Sequence, residues 1–169
     1  VVTSCSAVLS LPMAAADSLP SFQAALTMHQ LPCFNVVYAD AEGNIFHLYN
    51  AKVGQKQSLI EAPPNPLAGP VRTVWDGPLS AIDTAFQWGA TVPPAYLPFQ
   101  VNPESGFLQA CASPPWRASG DNPDWNIEGW RWLARDADSY RAKRVRQLLS
   151  QGKRSFEDMQ SMFFDPLAP

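Results

Sequence analysis

Three residue types could do chemistry here: thiols, imidazoles and one well-placed guanidinium. The cysteines are Cys5, Cys33 and Cys111, and the histidines are His29 and His47. No two cysteines stand at C-x-x-C spacing, so they make no metal-ligand pattern, and an odd count leaves at least one thiol free. Free cysteine is most often a small buried apolar residue, the role expected of all three. A Cys–His hydrolase built on Cys111 and His47 is chemically feasible. It lacks a third group in the sequence pattern to orient the base. Both histidines read as packing residues, His29 on a helical stripe and His47 within a strand. The guanidinium is that of Arg141. Residues 139–151 read as a helix with Gly152 as its C-terminal cap. Val145, Leu148 and Leu149 form its apolar stripe, and Arg141 lies four residues before Val145 on that stripe. Lys143, Arg144 and Arg146 point mostly elsewhere. A cation on an inward face needs a partner, because burying an unpaired charge is costly. Helical phase therefore singles out Arg141 among the twelve basic residues.

The elements that would position such groups centre on residues 97–116, LPFQVNPESGFLQACASPPW. Asn102-Pro103-Glu104-Ser105-Gly106 reads as a tight turn, and Phe107 to Ala112 reads as a buried central strand. Pro114-Pro115 ends that strand, because proline has no donor for the next ladder bond. Asp17 or Ser18 caps a helix running to about Gln30, with Phe22, Ala25, Leu26 and His29 on one face and Pro32 as its stop. Residues 35–40 and 44–49 form a β-hairpin by the alternation of Val36, Tyr38 and Ile45. Ala41-Glu42-Gly43 supplies its turn. Residues 51–96 are irregular and proline-punctuated, with Trp75 and Trp88 expected to pin them by burying their rings. Ser155 to Asp158 has the form of a capping box. It opens a last helix with Phe156, Met159 and Phe163 toward the core and Pro166 as its stop.

Two stretches in this order resemble the penicillin acylase family, which includes the cephalosporin acylases and acyl-homoserine-lactone acylases. One is Asn102-Pro-x-Ser-Gly-Phe-Leu-Gln-x-x-x-x-Pro-Pro-Trp116. The other is Leu31-Pro-Cys-Phe-Asn-Val-Val-Tyr-Ala-Asp-x-x-Gly-Asn-Ile-Phe46. Trp75-Asp76-Gly77-Pro78, Trp88-Gly89 and Leu97-Pro98 fit between and beside them, and the resemblance runs from about Asp17 to the C-terminus. The resemblance implies an N-terminal-nucleophile amide hydrolase, in which self-cleavage frees a Ser, Thr or Cys whose α-amine is the base. It implies an α+β fold, a portion of an αββα sandwich. This chain would contribute an antiparallel hairpin, a central strand and flanking helices. Strand edges left bare in such a portion would favour aggregation.

The same resemblance implies roles for three positions. An asparagine side chain donates to the oxyanion at the position of Ala112, where the family's Asn-x-Asn is here Ala110-Cys111-Ala112, so that donor is lost. The arginine on the following helix, which supports the oxyanion asparagine and the nucleophile's amine, aligns with Arg141. The residue before the Asn-x-x-Tyr-Ala-Asp strand, here Phe34, lines the acyl pocket; a core phenylalanine is the competing reading. Val1 has no nucleophilic atom. Thr3, Ser4 and Cys5 lie close to it, but the family's spacing puts the nucleophile well upstream. Residues 1–16 thus read as an internal or mis-started segment and 17–169 as one partial acylase-like domain, inactive in isolation. The implied partners are a small-molecule acyl amide substrate and the rest of the acylase, its α-subunit and the remaining β-subunit. The implied location is periplasmic or secreted. No cofactor and no metal is expected, because no full oxygen cage for calcium can be matched. The alternative is a non-catalytic remnant or binding module of the same fold.

Bulk properties agree with one domain of this kind. A chain of 169 residues with 46% hydrophobic residues can build a sizeable core. A net charge of −3 argues against nucleic acid as a partner, even though Trp125, Trp130 and Trp132 are interleaved with Arg131 and Arg135. No apolar run approaches the length of a membrane span.

Overall fold

Residues 11–14 form a short helical turn, and Ser18 begins the helix that packs on the sheet. Its hydroxyl accepts from the Ser21 backbone N–H, and the Ser21 hydroxyl accepts from the Ser18 N–H, so a capping box satisfies two amides that the helix cannot. The Asp17 carboxylate accepts from both hydroxyls and is held below the usual carboxylate range by them. The computed structural model describes residues 11–29, 33–56, 82, 86–120 and 138–165. Helix α1 covers Leu19–Leu26 and buries Leu19, Phe22, Ala25 and Leu26. It stops four residues short of Gln30, well before Pro32. Thr27 caps it, and His29 follows in a left-handed conformation with φ 51°.

The hairpin forms as expected. Strand β1, Cys33–Ala39, pairs antiparallel with β2, Ile45–Ala51, in a register that sets Val36 opposite Leu48 and Tyr38 opposite Phe46. Gly43 takes φ 90° in the connecting turn, where a Cβ would be strained. Asp40 closes that turn by accepting from the Asn44 backbone and side-chain amides at 2.7 and 2.8 Å. Because side chains alternate across a strand, Val36, Phe46 and Leu48 share one face. With Leu19, Phe22, Leu26, Val92 and Leu97 they form the core, and the Phe22 and Tyr38 rings pack at a tilt of 38° with centroids 4.7 Å apart. Burying each such aliphatic or aromatic side chain stabilises the fold by about 1.5–3 kcal/mol. Asn50, fully buried, donates to the Leu26 carbonyl at 3.1 Å, and the His29 ring contacts the Ala51 carbonyl. These two bonds fasten the end of α1 to β2 and give His29 the packing role expected of it.

Several expectations need correction. Residues 107–112 are not a strand. The third strand of the sheet is instead β5, Phe99–Val101, on the other side of β2, and the sheet order is β1-β2-β5. The ladder fails after Gly106 (φ 70°) because the Cys111 N–H is taken by the Gln109 side chain and Ala112 adopts φ 54°. The irregular stretch contains a second sheet, β3 (Gly54–Lys56) paired antiparallel with β4 (Trp88–Thr91). Trp88 does not bury its ring, being 61% exposed, and packs instead over Gly54. Cys33 is exposed rather than buried, and its thiol lies 3.0 Å from the Tyr49 hydroxyl.

Helix α2, Tyr140–Leu149, has Ser139 as its N-cap, and Gly152 follows with φ 109°. Its one fully buried residue is Ala142. Arg141, one position earlier, is exposed, so the inward face is centred nearer Ala142 than the phase assigned to it, while Val145, Leu148 and Leu149 are half-buried. The part-buried, paired cations are Arg144, bound to Asp165 at 2.8 Å, and Arg146, bound to Asp138. Helix α3, Phe156–Phe163, opens on the expected capping box, with Asp158 accepting from the Ser155 N–H at 2.9 Å. Its apolar face is not in the core. Phe156, Met159 and Phe163 are all exposed. The architecture is therefore α+β, with antiparallel sheets and a few helices. Cys5, Trp75, Trp125, Trp130, Trp132, Arg131, Arg135, Pro32 and Pro166 lie outside the described residues.

Candidate active site

The segment after β5 is shaped by one buried amide. Gln109 is 5% exposed. Its Oε1 accepts from the Cys111 N–H at 2.9 Å, and its Nε2 donates to Ser113 Oγ at 2.9 Å and to the Arg117 carbonyl. Its own N–H donates to the Ala118 carbonyl at 2.7 Å. A buried amide that fills its donors and acceptors in this way fixes the backbone around it. The polypeptide between Gln109 and Ala118 thus closes on itself, and Pro114–Pro115 lead into a helical turn over Pro115–Arg117.

Helix α2 is tied to the same loop. The Ser139 hydroxyl donates to the Cys111 carbonyl at 2.8 Å while accepting from the Ala142 N–H at 3.1 Å. Arg146, paired with Asp138, also reaches the Arg117 carbonyl at 3.4 Å. Ala112 sits at the exposed tip between these anchors with φ 54°. Left-handed backbone costs an alanine about 1–2 kcal/mol, whereas asparagine and glycine tolerate it. The other left-handed non-glycine residues here carry side chains that anchor them. Asn102 holds the Ile45 N–H at 2.8 Å, and His29 holds Ala51. Ala112 has no such atom.

The sequence-based site residues fall as follows. Ala112 and the helix bearing Arg141 are brought together through Ser139, yet the cation that touches the loop is Arg146. Phe34 lies on β1 opposite Asn50 and is 54% exposed, so it is not packed into the core formed by the described residues. Gln109 was missed. Its signal was a single amide within the apolar run Phe107–Ala112, where a strand would have no use for it.

His47 and Cys111 form no pair. The His47 ring is fully buried on the sheet face opposite the core, between its cross-strand neighbours Val37 and Gln100. Its Nε2 bonds Asn35 Oδ1 at 3.0 Å. Its Nδ1 and the Gln100 Oε1 have no partner among the described residues. Burial pushes the imidazole down to about 4, so it is neutral near pH 7. Among the described residues no group of three His, Cys, Asp or Glu could hold a metal ion. No helix among them is long and apolar enough to cross a membrane. The family model described as penicillin amidase matches residues 5–169.

Proposed function

Because the chain belongs to the penicillin amidase family, we propose that it works as part of an acylase-type amidohydrolase. The substrate is an acyl amide of the penicillin, cephalosporin or acyl-homoserine-lactone type, and the setting is periplasmic or secreted. The nucleophile and the rest of the pocket are supplied by chain outside these residues. On this reading the three-stranded sheet is one layer of an αββα sandwich, and the half-exposed Phe34 lines the acyl pocket. Arg141, exposed at the second position of α2, supports the site by pairing with groups beyond the described residues.

The observation that carries the reading is the backbone at Ala112. Attack on an amide carbonyl builds charge on its oxygen, and a donor placed there lowers the barrier by about 3–4 kcal/mol, or about 10²–10³ in rate. A left-handed, exposed position held from both sides suits an asparagine. Asparagine is the residue the resemblance assigns there as the oxyanion donor. Alanine keeps the conformation but has nothing to donate. That same fact favours a second reading, in which the lineage keeps the fold and has lost catalysis.

The test is hydrolysis of chromogenic acyl anilides by the full-length parent protein, with Ala112→Asn alongside. An active parent little changed by Ala112→Asn supports an acylase whose oxyanion donor lies elsewhere. An inert parent that gains turnover with Ala112→Asn supports a lost donor at this position. If neither hydrolyses any acyl amide tried, the catalytic reading fails and the non-catalytic one stands.

A further inference from the structure

We propose that Gln109 and Ser139 are positioning residues: together they impose the left-handed backbone at position 112, whichever side chain stands there. The functional consequence rests on the acylase reading, because only there does position 112 face a reacting carbonyl. The geometry itself does not depend on it.

The argument starts from what Ala112 cannot do. Its methyl group makes no bond that would favour φ 54°, so the conformation must be enforced from outside. Two side chains grip its neighbours. The Gln109 amide straddles it, binding the N–H of Cys111 on one side and the hydroxyl of Ser113 on the other. The Ser139 hydroxyl takes the Cys111 carbonyl. With the donor and acceptor of Cys111 both committed and Ser113 pinned, the peptide between them has little freedom. Gln109 is in turn held through Arg117 and Ala118, so the grip is anchored at the far end of the loop.

Ser139 allows the grip to be separated from helix capping. As N-cap it accepts from Ala142, a task aspartate performs equally well. Toward Cys111 it donates, and an ionised aspartate has no proton to give. Ser139→Asp therefore keeps the helix and loses the grip, whereas Ser139→Thr keeps both.

The experiment uses the isotopically labelled chain and reads the one-bond Cα–Hα coupling of residue 112, which distinguishes positive from negative φ. Wild type and Ser139→Thr are expected to show the left-handed value. Gln109→Leu and Ser139→Asp are expected to lose it while amide shifts of α1 and β2 stay in place. A second readout is the gain from Ala112→Gly, which removes the left-handed penalty. It should improve the folding equilibrium about threefold in wild type, after allowing for glycine's extra unfolded-state freedom. In Ser139→Asp that gain should vanish. If the coupling and the glycine gain both persist in Ser139→Asp and in Gln109→Leu, the proposal is wrong. Should Gln109→Leu fail to fold, Ser139→Asp alone decides. In the parent protein carrying Ala112→Asn, the same two variants should lower kcat with little change in KM. A parent inert in every form, with the coupling behaving as expected, would sink the acylase reading and leave the grip standing.

Discussion

Replacing His47 by phenylalanine should remove most of the acid sensitivity of this fold between pH 7 and pH 5. The ring is fully buried, and burial pushes its pKa from the ordinary 6.5 to about 4. Between those values the unfolded chain binds a proton that the folded chain refuses. Stability is thus fully present above about pH 6.5 and falls as pH drops toward about 4. The whole gap is worth about 3 kcal/mol, and about 2 kcal/mol of it is lost between pH 7 and pH 5. The carboxylates with resolved shifts, those of Asp17, Asp40 and Asp158, all lie below the ordinary carboxylate value and so act at lower pH. The only hydrogen-bond partner His47 has among the described residues is the neutral Asn35 side chain, so no ion pair compensates for its burial. Urea unfolding followed by circular dichroism at pH 7, 6 and 5 gives the slope directly. Wild type should lose about 2 kcal/mol across that range, and His47→Phe should be nearly flat. Phenylalanine fills a similar volume, and Asn35 is exposed enough to turn to water. Equal wild-type stability at pH 7 and pH 5, or the same slope in both proteins, would refute the assignment of His47 as a buried neutral base.

Other consequences are more local. Leu26→Ala, at a position 1% exposed in the middle of the core, should cost about 2–5 kcal/mol in chemical denaturation. Gly54→Ala would bring a Cβ to 2.7 Å from Trp88 Cε3, a contact that real structures do not tolerate. It should part β3 from β4 at a cost of about 1–3 kcal/mol, read as a change in Trp88 near-ultraviolet circular dichroism with the three-stranded sheet intact. Ser155→Ala removes the capping box of α3 and about 1 kcal/mol of helix stability. Because the apolar face of α3 is exposed, the loss should appear as faster amide exchange over 156–163, without a matching change in the core.

The features that could be read from the sequence are those decided within a few residues. Ser18 and Ser155 cap helices because their hydroxyls need only reach the third residue on, and Gly43 turns the hairpin because its own φ must be positive. Alternation in β1 is equally local. The misread features depend on distant partners. Residues 54–56 pair with 88–91 across an intervening stretch with no periodic signal to predict the register. The run Phe107–Ala112 has the composition of a buried strand, but Gln109 finds Arg117, Ala118 and Ser113, and its amide takes the ladder's place. The stripe of Val145, Leu148 and Leu149 is half-buried, yet Arg141 at the start of α2 lies outside the inward face. One residue of rotation about a helix moves a side chain by about 100°, and the small Ala142, which scarcely registers as apolar, sets the buried side. At Ala112 the two kinds of information meet. The resemblance implies an oxyanion-donating asparagine at this position, and the backbone there has the left-handed conformation that asparagine tolerates better than alanine. An alanine free of outside constraint would be expected to relax to an ordinary φ. That Ala112 does not is explained if the conformation belongs to Gln109 and Ser139, whose grip would hold the loop in a form ready to accept an asparagine.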